Sequence, residues 1–391
     1  MENALLDIHL KPALHQPVWE DASQARRVRG ELAVRPPLVA GADVLRLKRL
    51  LARVAAGEAH VIQAGDCAED PAECTAPDIA RKAAVLDLLA GVLGLITHRP
   101  VLRVGRIAGQ YAKPRSQPTE TVDGVELPVY RGHMVNDPAP DPDSRRPDPL
   151  RLLTGFMAAQ DVMGHLGWQP GPTAGERIDP QVWTSHEALL LDYEVPLLRR
   201  GEDGRVLLTS THWPWIGERT RQPDGAHVAL LAGVDNPVAC KVGPSMTLGE
   251  LLDLCGRLDP AREPGRLTLI ARMGADAVAD ALPPLVTAVR EAGHPVIWLT
   301  DPMHGNTVTV QGGLKTRFVE TVEREVVAFQ HAVTGAGGVA GGLHLETTPE
   351  AVTECVADPS AADRAGDVRT TFCDPRLNPG QAVSVVSAWS P

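Results

Sequence analysis

Cysteine and lysine are both scarce in this sequence, and long apolar runs are missing altogether. Six Cys in 391 residues are too few for a disulfide scaffold and point to a reducing, cytoplasmic compartment. No apolar run reaches the ~18 residues of a membrane span. The longest candidate, Val85 to Ile96, carries Asp87 and reads as a core-facing helix. The opening MENALLDIHLKPALHQ has no basic segment followed by an apolar stretch, so no secretory signal is expected. Excess positive charge is missing too. A net charge of -11 and a pI near 5.6 argue against a nucleic-acid or anionic-membrane surface. Lysine occurs only at Lys11, Lys48, Lys82, Lys113, Lys241 and Lys315, while arginine is abundant, a bias that GC-rich coding explains. No internal repeat or low-complexity tract is present. No G-x-G-x-x-G follows the first predicted strand, which weakens a dinucleotide-binding doubly wound sheet.

Apolar residues make up 43% and charged residues 22%, near globular averages, and the length allows two or three domains or one large barrel. Short apolar runs alternate with amphipathic segments. Strands are expected at His60–Gly65, Val101–Ile107, Val206–Trp213, Pro237–Val242, Leu267–Ala271, Val296–Thr300, Gly342–Leu345 and Val368–Phe372. Between them, Asp78 is expected to cap a helix over Ile79–Ile96, and Thr247 with Glu250 to form a capping box. Pro283 opens a helix that Gly293 stops, Arg317–Val333 has helical apolar spacing, and Thr348-Pro349 and Asn378-Pro379 start two more. Two stretches, Asn136 to Asp148 and Gly167 to Pro180, read as loops. Eight buried strands mostly followed by helices predict an α/β fold, a (β/α)8 TIM barrel. An N-terminal helical extension, residues 1–56, with a helix over Ala42 to Ala55, precedes the barrel domain of residues 57–391.

In such a barrel the C-terminal strand ends share one mouth, where chemistry resides. The predicted strand ends deliver Cys67, Arg106, Glu218, Arg219, Lys241, Arg272, His304, Glu346 and Asp374 to that rim. Cys67, His304, Glu346 and Asp374 offer one sulfur, one nitrogen and two carboxylates, a mixed set suited to a catalytic divalent ion. Taken singly, such a Cys is more often a small buried hydrophobe and such a His a satisfied core residue. Arg106, Arg115, Arg219, Lys241 and Arg272, with Lys113, form a cationic set. In an acidic protein it either pairs with local carboxylates or holds phosphates and a carboxylate. The residues alone point to a metal-dependent barrel enzyme for small phosphorylated substrates.

Ten segments carry a resemblance: QAGDCAED (Gln63–Asp70), RIAGQYAKPRS (Arg106–Ser116), YRGHMVN (Tyr130–Asn136), TSHEALLLDYE (Thr184–Glu194), WIGERTRQPDGAH (Trp215–His227), NPVACKVGPSM (Asn236–Met246), RLTLIARMG (Arg266–Gly274), DPMHGNT (Asp301–Thr307), GGLHLE (Gly341–Glu346) and CDPRLN (Cys373–Asn378). In this order they resemble the type II 3-deoxy-D-arabino-heptulosonate 7-phosphate (DAHP) synthases. The resemblance implies condensation of phosphoenolpyruvate with erythrose 4-phosphate, the entry step of the shikimate pathway, on a (β/α)8 barrel. It implies a divalent ion, Mn2+ or Co2+, on Cys67, His304, Glu346 and Asp374. Phosphoenolpyruvate falls to Arg106, Glu218, Arg219, Lys241 and Arg272, and erythrose 4-phosphate to Lys113, Arg115 and Ser116. Lys241, Glu218, His304 and Cys67 are the expected catalytic residues.

Cys373 beside Asp374 suggests a thiol close enough for oxidation to join it to Cys67. Longer members of the family carry a regulatory helical pair between the YRG and TSHEA segments. The interval here has room for one helix, Leu150–Gly164, and a loop, so insensitivity to aromatic amino acids and service in secondary metabolism are expected. His133 stands where the family usually has an acidic residue. An amino-DAHP synthase is the closest alternative activity and a non-catalytic scaffold a more distant one. A homodimer or higher homo-oligomer is implied, with the N-terminal extension as a contact.

Overall fold

The structure is a computed structural model that describes residues 8, 10–122, 124–168 and 181–391. Eight parallel strands close into a barrel. In chain order they are β1 His60–Gly65, β2 Val101–Arg106, β3 Trp183–Glu187, β4 Trp213–Ile216, β5 Val238–Val242, β6 Leu267–Ala271, β7 Ile297–Thr300 and β8 Val339–Glu346. Closure comes from β1, which pairs with both β2 and β8. Helices α1 Ala22–Val34 and α2 Gly41–Ala55 precede the barrel; α3 Ala76–Thr97, α4 Leu150–His165, α5 Ala226–Ala232, α6 Leu248–Leu258, α7 Val278–Glu291, α8 Val319–Gly335 and α9 Pro379–Ser387 follow in turn. The expected barrel is therefore the observed one.

Local signals explain most boundaries. Thr247 and Glu250 form the capping box of α6, and Asn378 with Gln381 forms another on α9. α3 begins at Ala76, two residues before Asp78, so Asp78 lies in its first turn and not at the cap; Thr75 holds the N-cap position and its hydroxyl donates to Asp78 at 2.5 Å. Its outer face leaves Leu88 and Leu95 exposed, so the core-facing reading holds for one side only. Pro283 does not open α7. It lies inside, next to Pro284, because Val278 and Leu282 bury an earlier turn that packs on the barrel.

Three further expectations are corrected. The run Val206–Trp213 is not one strand. Val206–Leu208 pairs antiparallel with Leu198–Arg200 outside the barrel, and β4 starts only at Trp213. The segment Val368–Phe372 is not a strand either. Its N–H groups go to side chains, that of Val368 to Thr353 Oγ1 at 2.9 Å and those of Thr370 and Thr371 to Glu354. No helix starts at Thr348-Pro349; the Thr348 hydroxyl instead accepts from Glu350 N at 3.3 Å in a local turn. The eighth barrel strand is β3, which the sequence pattern does not announce. The Asn136 to Asp148 loop is a string of turns, whereas residues 169–180 of the other expected loop lie outside the described residues.

The barrel interior is layered. At the N-terminal end, Val61, Val104, Trp183, Trp213, Ala239 and Ile297 pack with Leu47, Leu51 and Val54 of α2, which plugs that end. One level up the interior turns polar. Gln63 Nε2 donates to Ser185 Oγ at 3.0 Å, and His344 Nδ1 bonds Gln63 Oε1 at 2.6 Å. His344 Nε2 then accepts from Arg106 at 2.8 Å, since arginine can only donate.

Candidate active site

The mouth at the C-terminal strand ends holds a cavity of about 470 Å³. Lys113, Arg115, Ser116, Glu187, Glu218, Arg219, Lys241, Arg272, His304 and Asp374 are among its walls. These residues come from strand ends and from the loops that follow them, and the parallel register is what gathers them. Gly65 is level with Arg106 on one side and Glu346 on the other. A side chain could not replace Gly65, because a Cβ would stand 2.7 Å from the Arg106 carbonyl oxygen.

Cys67, Glu346 and Asp374 offer ligand atoms that all lie within 4.8 Å of one another. Cys67 Sγ is 3.7 Å from Asp374 Oδ2. His304 stands beside this group with Nε2 at 3.3 Å from Glu346 Oε1. Its Nδ1 bonds Asp301 at 2.8 and 3.0 Å, so Nε2 carries the lone pair of the neutral ring. A lone pair and a carboxylate oxygen at that separation call for a proton or a cation between them. A histidine anchored by a carboxylate through its far nitrogen is also the usual orientation of a metal ligand. The donor set and its geometry thus fit a divalent ion. Burial, the Cys373 hydrogen bond and the Glu346 charge push the Cys67 thiol well above its ordinary range, and a bound cation would favour the thiolate. Burial also opposes charge on Glu346, but His304, Arg317, Lys113 and Arg106 outweigh it and hold the carboxyl well below the usual range.

The cations divide by depth. Arg106 is buried and does not line the cavity. Its donors go to the Asp66 carbonyl at 3.1 Å, His344, and Glu346 Oε1 at 3.0 Å. Lys241 and Arg272 do line it. Burial pulls Lys241 down to about 8, helped by Arg106 and Arg272 and opposed by its ion pair with Asp301. Farther out, Arg219 Nη2 donates to Ser116 Oγ at 2.9 Å and Arg115 pairs with Glu120 at 2.9 Å. Arg219 therefore stands with the Lys113–Ser116 segment. Lys113 Nζ is 3.7 Å from Glu346 and 3.9 Å from Asp374. Glu218 accepts from Arg221 at 2.9 Å through Oε1, while its Oε2 has no partner among the described residues.

Several residues of the site escape the strand-end reasoning. Asp301 joins Lys241 to His304. Arg317 holds Glu346 Oε2 at 2.8 Å. Glu187, at the end of the unpredicted β3, faces the cavity with Oε1 unpartnered among the described residues. Burial raises it, against the pull of Lys113, Lys241, Arg219 and His304. Asp301 and Glu187 both lie in segments already quoted, DPMHGNT and TSHEA, so their motif neighbours were the available signal. His133 is not part of the cavity wall. It packs edge-on against Tyr130 and Phe372, 3.8 Å from Asp70. Cys67 and Cys373 are both free and buried, and their side chains are hydrogen-bonded.

Comparison with known proteins agrees with this geometry. The model of the class-II DAHP synthetase family matches residues 4–176 and 171–388. A probable phospho-2-dehydro-3-deoxyheptonate aldolase of Pseudomonas fluorescens is 57% identical over 389 residues, covering 100% of this chain and 97% of that one. Phospho-2-dehydro-3-deoxyheptonate aldolases of Streptomyces coelicolor and Mycolicibacterium smegmatis are each 40% identical over 96% of this chain, and over 94% and 91% of their own. Among solved structures, a phospho-2-dehydro-3-deoxyheptonate aldolase from Francisella tularensis superposes with a TM-score of 0.53 at 13% identity, covering 98% of this chain and 94% of that one, a likeness of fold. With fold, rim chemistry and full-length relatives in accord, the chain belongs to the class-II DAHP synthetase family and is an enzyme of that family's activity.

Proposed function

We propose that the cavity joins phosphoenolpyruvate to erythrose 4-phosphate, releasing DAHP and inorganic phosphate, with a divalent ion, Mn2+ or Co2+, on Cys67, His304, Glu346 and Asp374. One observation carries this reading: His304 and Asp374 line the same cavity as Lys241, Arg272 and Lys113, with Glu346 and Cys67 directly behind them at 3.3 Å and 3.7 Å. A bound divalent ion supplies Lewis acidity that polarises the tetrose aldehyde.

The chain's own residues do the rest. Lys241 and Arg272, with Glu218 and Arg219, hold phosphoenolpyruvate from the cavity wall, and Arg106 backs that wall from beneath through His344 and Glu346. Lys113, Arg115 and Ser116 hold the sugar phosphate. Pinning both substrates by their charged ends offsets the weak nucleophilicity of an enol phosphate. Attack through C3 leaves positive charge at C2, where water adds. Glu218, anchored by Arg221 with Oε2 free, orients or deprotonates that water. Lys241 and Arg272 stabilise charge on the departing phosphate. Asp301 keeps both Lys241 and His304 in place.

The enzyme is of the short, unregulated kind, feeds secondary metabolism and works in the cytoplasm as a homo-oligomer. Two observations support the first point. Among the described residues α4 is the one helix between Tyr130 and Thr184. The Streptomyces and Mycolicibacterium alignments run to 421 and 429 positions, against 391 residues here, so those relatives carry insertions within the matched region. The Pseudomonas alignment needs only 389. The test follows loss of the enol absorbance with both substrates, with and without added Mn2+. Metal-dependent loss is expected; no turnover with Mn2+, or full turnover after exhaustive chelation, overturns the reading. An aminated tetrose phosphate in place of erythrose 4-phosphate separates the amino-DAHP alternative.

A further inference from the structure

Three of the four ligand-bearing residues sit close to the ends of barrel strands. Cys67 is two residues past β1, Glu346 ends β8, and His304 lies four residues past β7. Asp374 is different. It stands in the long connection between β8 and α9, and no barrel strand carries it. Its own N–H meets Cys67 Sγ at 3.3 Å, its carbonyl accepts from Thr371 Oγ1 at 3.0 Å and Arg317 bonds the Pro375 carbonyl, while the backbone on both sides of it is gathered by one buried carboxylate, that of Glu354, which has no place in the chemistry proposed above. Glu354 Oε1 accepts from Thr370 N at 3.0 Å and Thr371 N at 2.8 Å, before Asp374, and Oε2 accepts from Arg376 N at 2.8 Å, after it. The connection is wrapped around this side chain. The Arg376 guanidinium lies against the same carboxylate, Nε at 3.1 Å and Nη2 at 2.9 Å, and turns its third nitrogen to Asp66 Oδ1 at 2.7 Å. Asp66 immediately precedes Cys67 and is held from its other oxygen by Lys82 at 2.9 Å. Glu354, Arg376 and Asp66 are 0, 5 and 3% exposed.

We infer that Glu354 and Arg376 are positioning residues for the metal centre: they tie the Asp374 loop to the Cys67 segment and so set the separation between two ligands drawn from opposite ends of the chain. The inference rests on the proposed ligand set and adds residues behind it. Carboxylate–guanidinium pairs of this kind are strong and directional, and their desolvation makes each partner costly to remove alone. Among the described residues Lys241 and Arg272 bond neither Glu354 nor Arg376, and the strut meets Arg106 only through the Asp66 backbone carbonyl, so the tie bears on the metal more than on phosphoenolpyruvate.

The test measures Mn2+ binding from the free-ion electron paramagnetic resonance signal, and phosphoenolpyruvate binding to the metal-free protein by calorimetry. The proteins are wild type, Glu354→Gln, Arg376→Gln and Arg376→Lys, with thermal unfolding recorded for each. Removing partners behind a metal ligand typically weakens affinity ~10–100-fold, so Arg376→Gln and Glu354→Gln are expected to lose about that factor for Mn2+. Arg376→Lys, which keeps the charge but reaches only one of the two carboxylates, should lose less. Phosphoenolpyruvate affinity should stay at the wild-type value throughout. If Arg376→Gln fails to fold, the Lys variant carries the comparison. Equal Mn2+ affinity in folded variants and wild type overturns the inference alone, as does equal weakening of Mn2+ and phosphoenolpyruvate. A wild-type protein that takes up no Mn2+ overturns the proposed metal site and this inference with it.

Discussion

The two ends of the barrel are made by the same eight strands and have opposite chemistry. At the N-terminal end, Trp183, Trp213, Val61 and Ile297 meet Leu47, Leu51 and Val54 of α2 in a dry, apolar layer. At the C-terminal end the same strands finish beside Arg106, Glu187, Lys241, Arg272, Asp301 and Glu346, nearly all buried or half-buried and most of them paired. Burying that many charges opposes folding unless each has partners, so the mouth depends on stability supplied elsewhere. The plugged end supplies it. The difference between the ends assigns stability to one and chemistry to the other, as is general for this architecture.

Substitutions at each end should therefore move different observables. The largest effect is expected from His304→Ala, which removes the nitrogen proposed as a metal ligand. Loss of several kcal/mol of transition-state stabilisation lowers kcat by roughly a thousandfold, with the thermal midpoint little changed. Steady-state kinetics and thermal unfolding on one preparation check both halves. At the other end Leu51→Ala, fully buried in wild type, should cost about 2–5 kcal/mol of stability and leave kcat/KM per folded molecule unchanged, as read from denaturant melts and active-site titration. A Leu51 variant that loses activity while folded would break the division. A subtler effect concerns pH. Lys241 must be charged to hold a phosphate and is pulled down to about 8 by burial. As pH rises through that value the proton leaves, so kcat/KM for phosphoenolpyruvate should fall about tenfold per unit above it. A bound anion favours the charged lysine, so the corresponding limb in kcat lies at higher pH. The smallest effect is none at all: Phe, Tyr and Trp are expected to leave the rate unchanged, and inhibition at sub-millimolar concentration would contradict the unregulated reading.

Legibility in the sequence followed the same division. Where a strand is mostly apolar, as in His60–Gly65 and Leu267–Ala271, its bounds could be read to the residue. β3 was invisible because its core, Thr184-Ser185-His186, is polar and finds partners within the fold: Ser185 with Gln63, His186 with Glu194. Val368–Phe372 misled for the opposite reason, a β-branched run whose N–H groups are taken by Thr353 and Glu354. The proposed ligand set came into view because Cys67, Glu346 and His304 follow strands that were found. Asp374 was reached through a strand that does not exist, and its true support, the Glu354–Arg376 pair, depends on contacts 22 residues apart that no local pattern shows.

The central claim is that Cys67, His304, Glu346 and Asp374 surround one divalent ion. Titrating the metal-free protein with Co2+ while recording its near-ultraviolet absorption tests this most directly. The account predicts one equivalent bound with a sulfur-to-cobalt charge-transfer band that disappears in Cys67→Ser. One equivalent bound without the band, or a band that survives in Cys67→Ser, would contradict it.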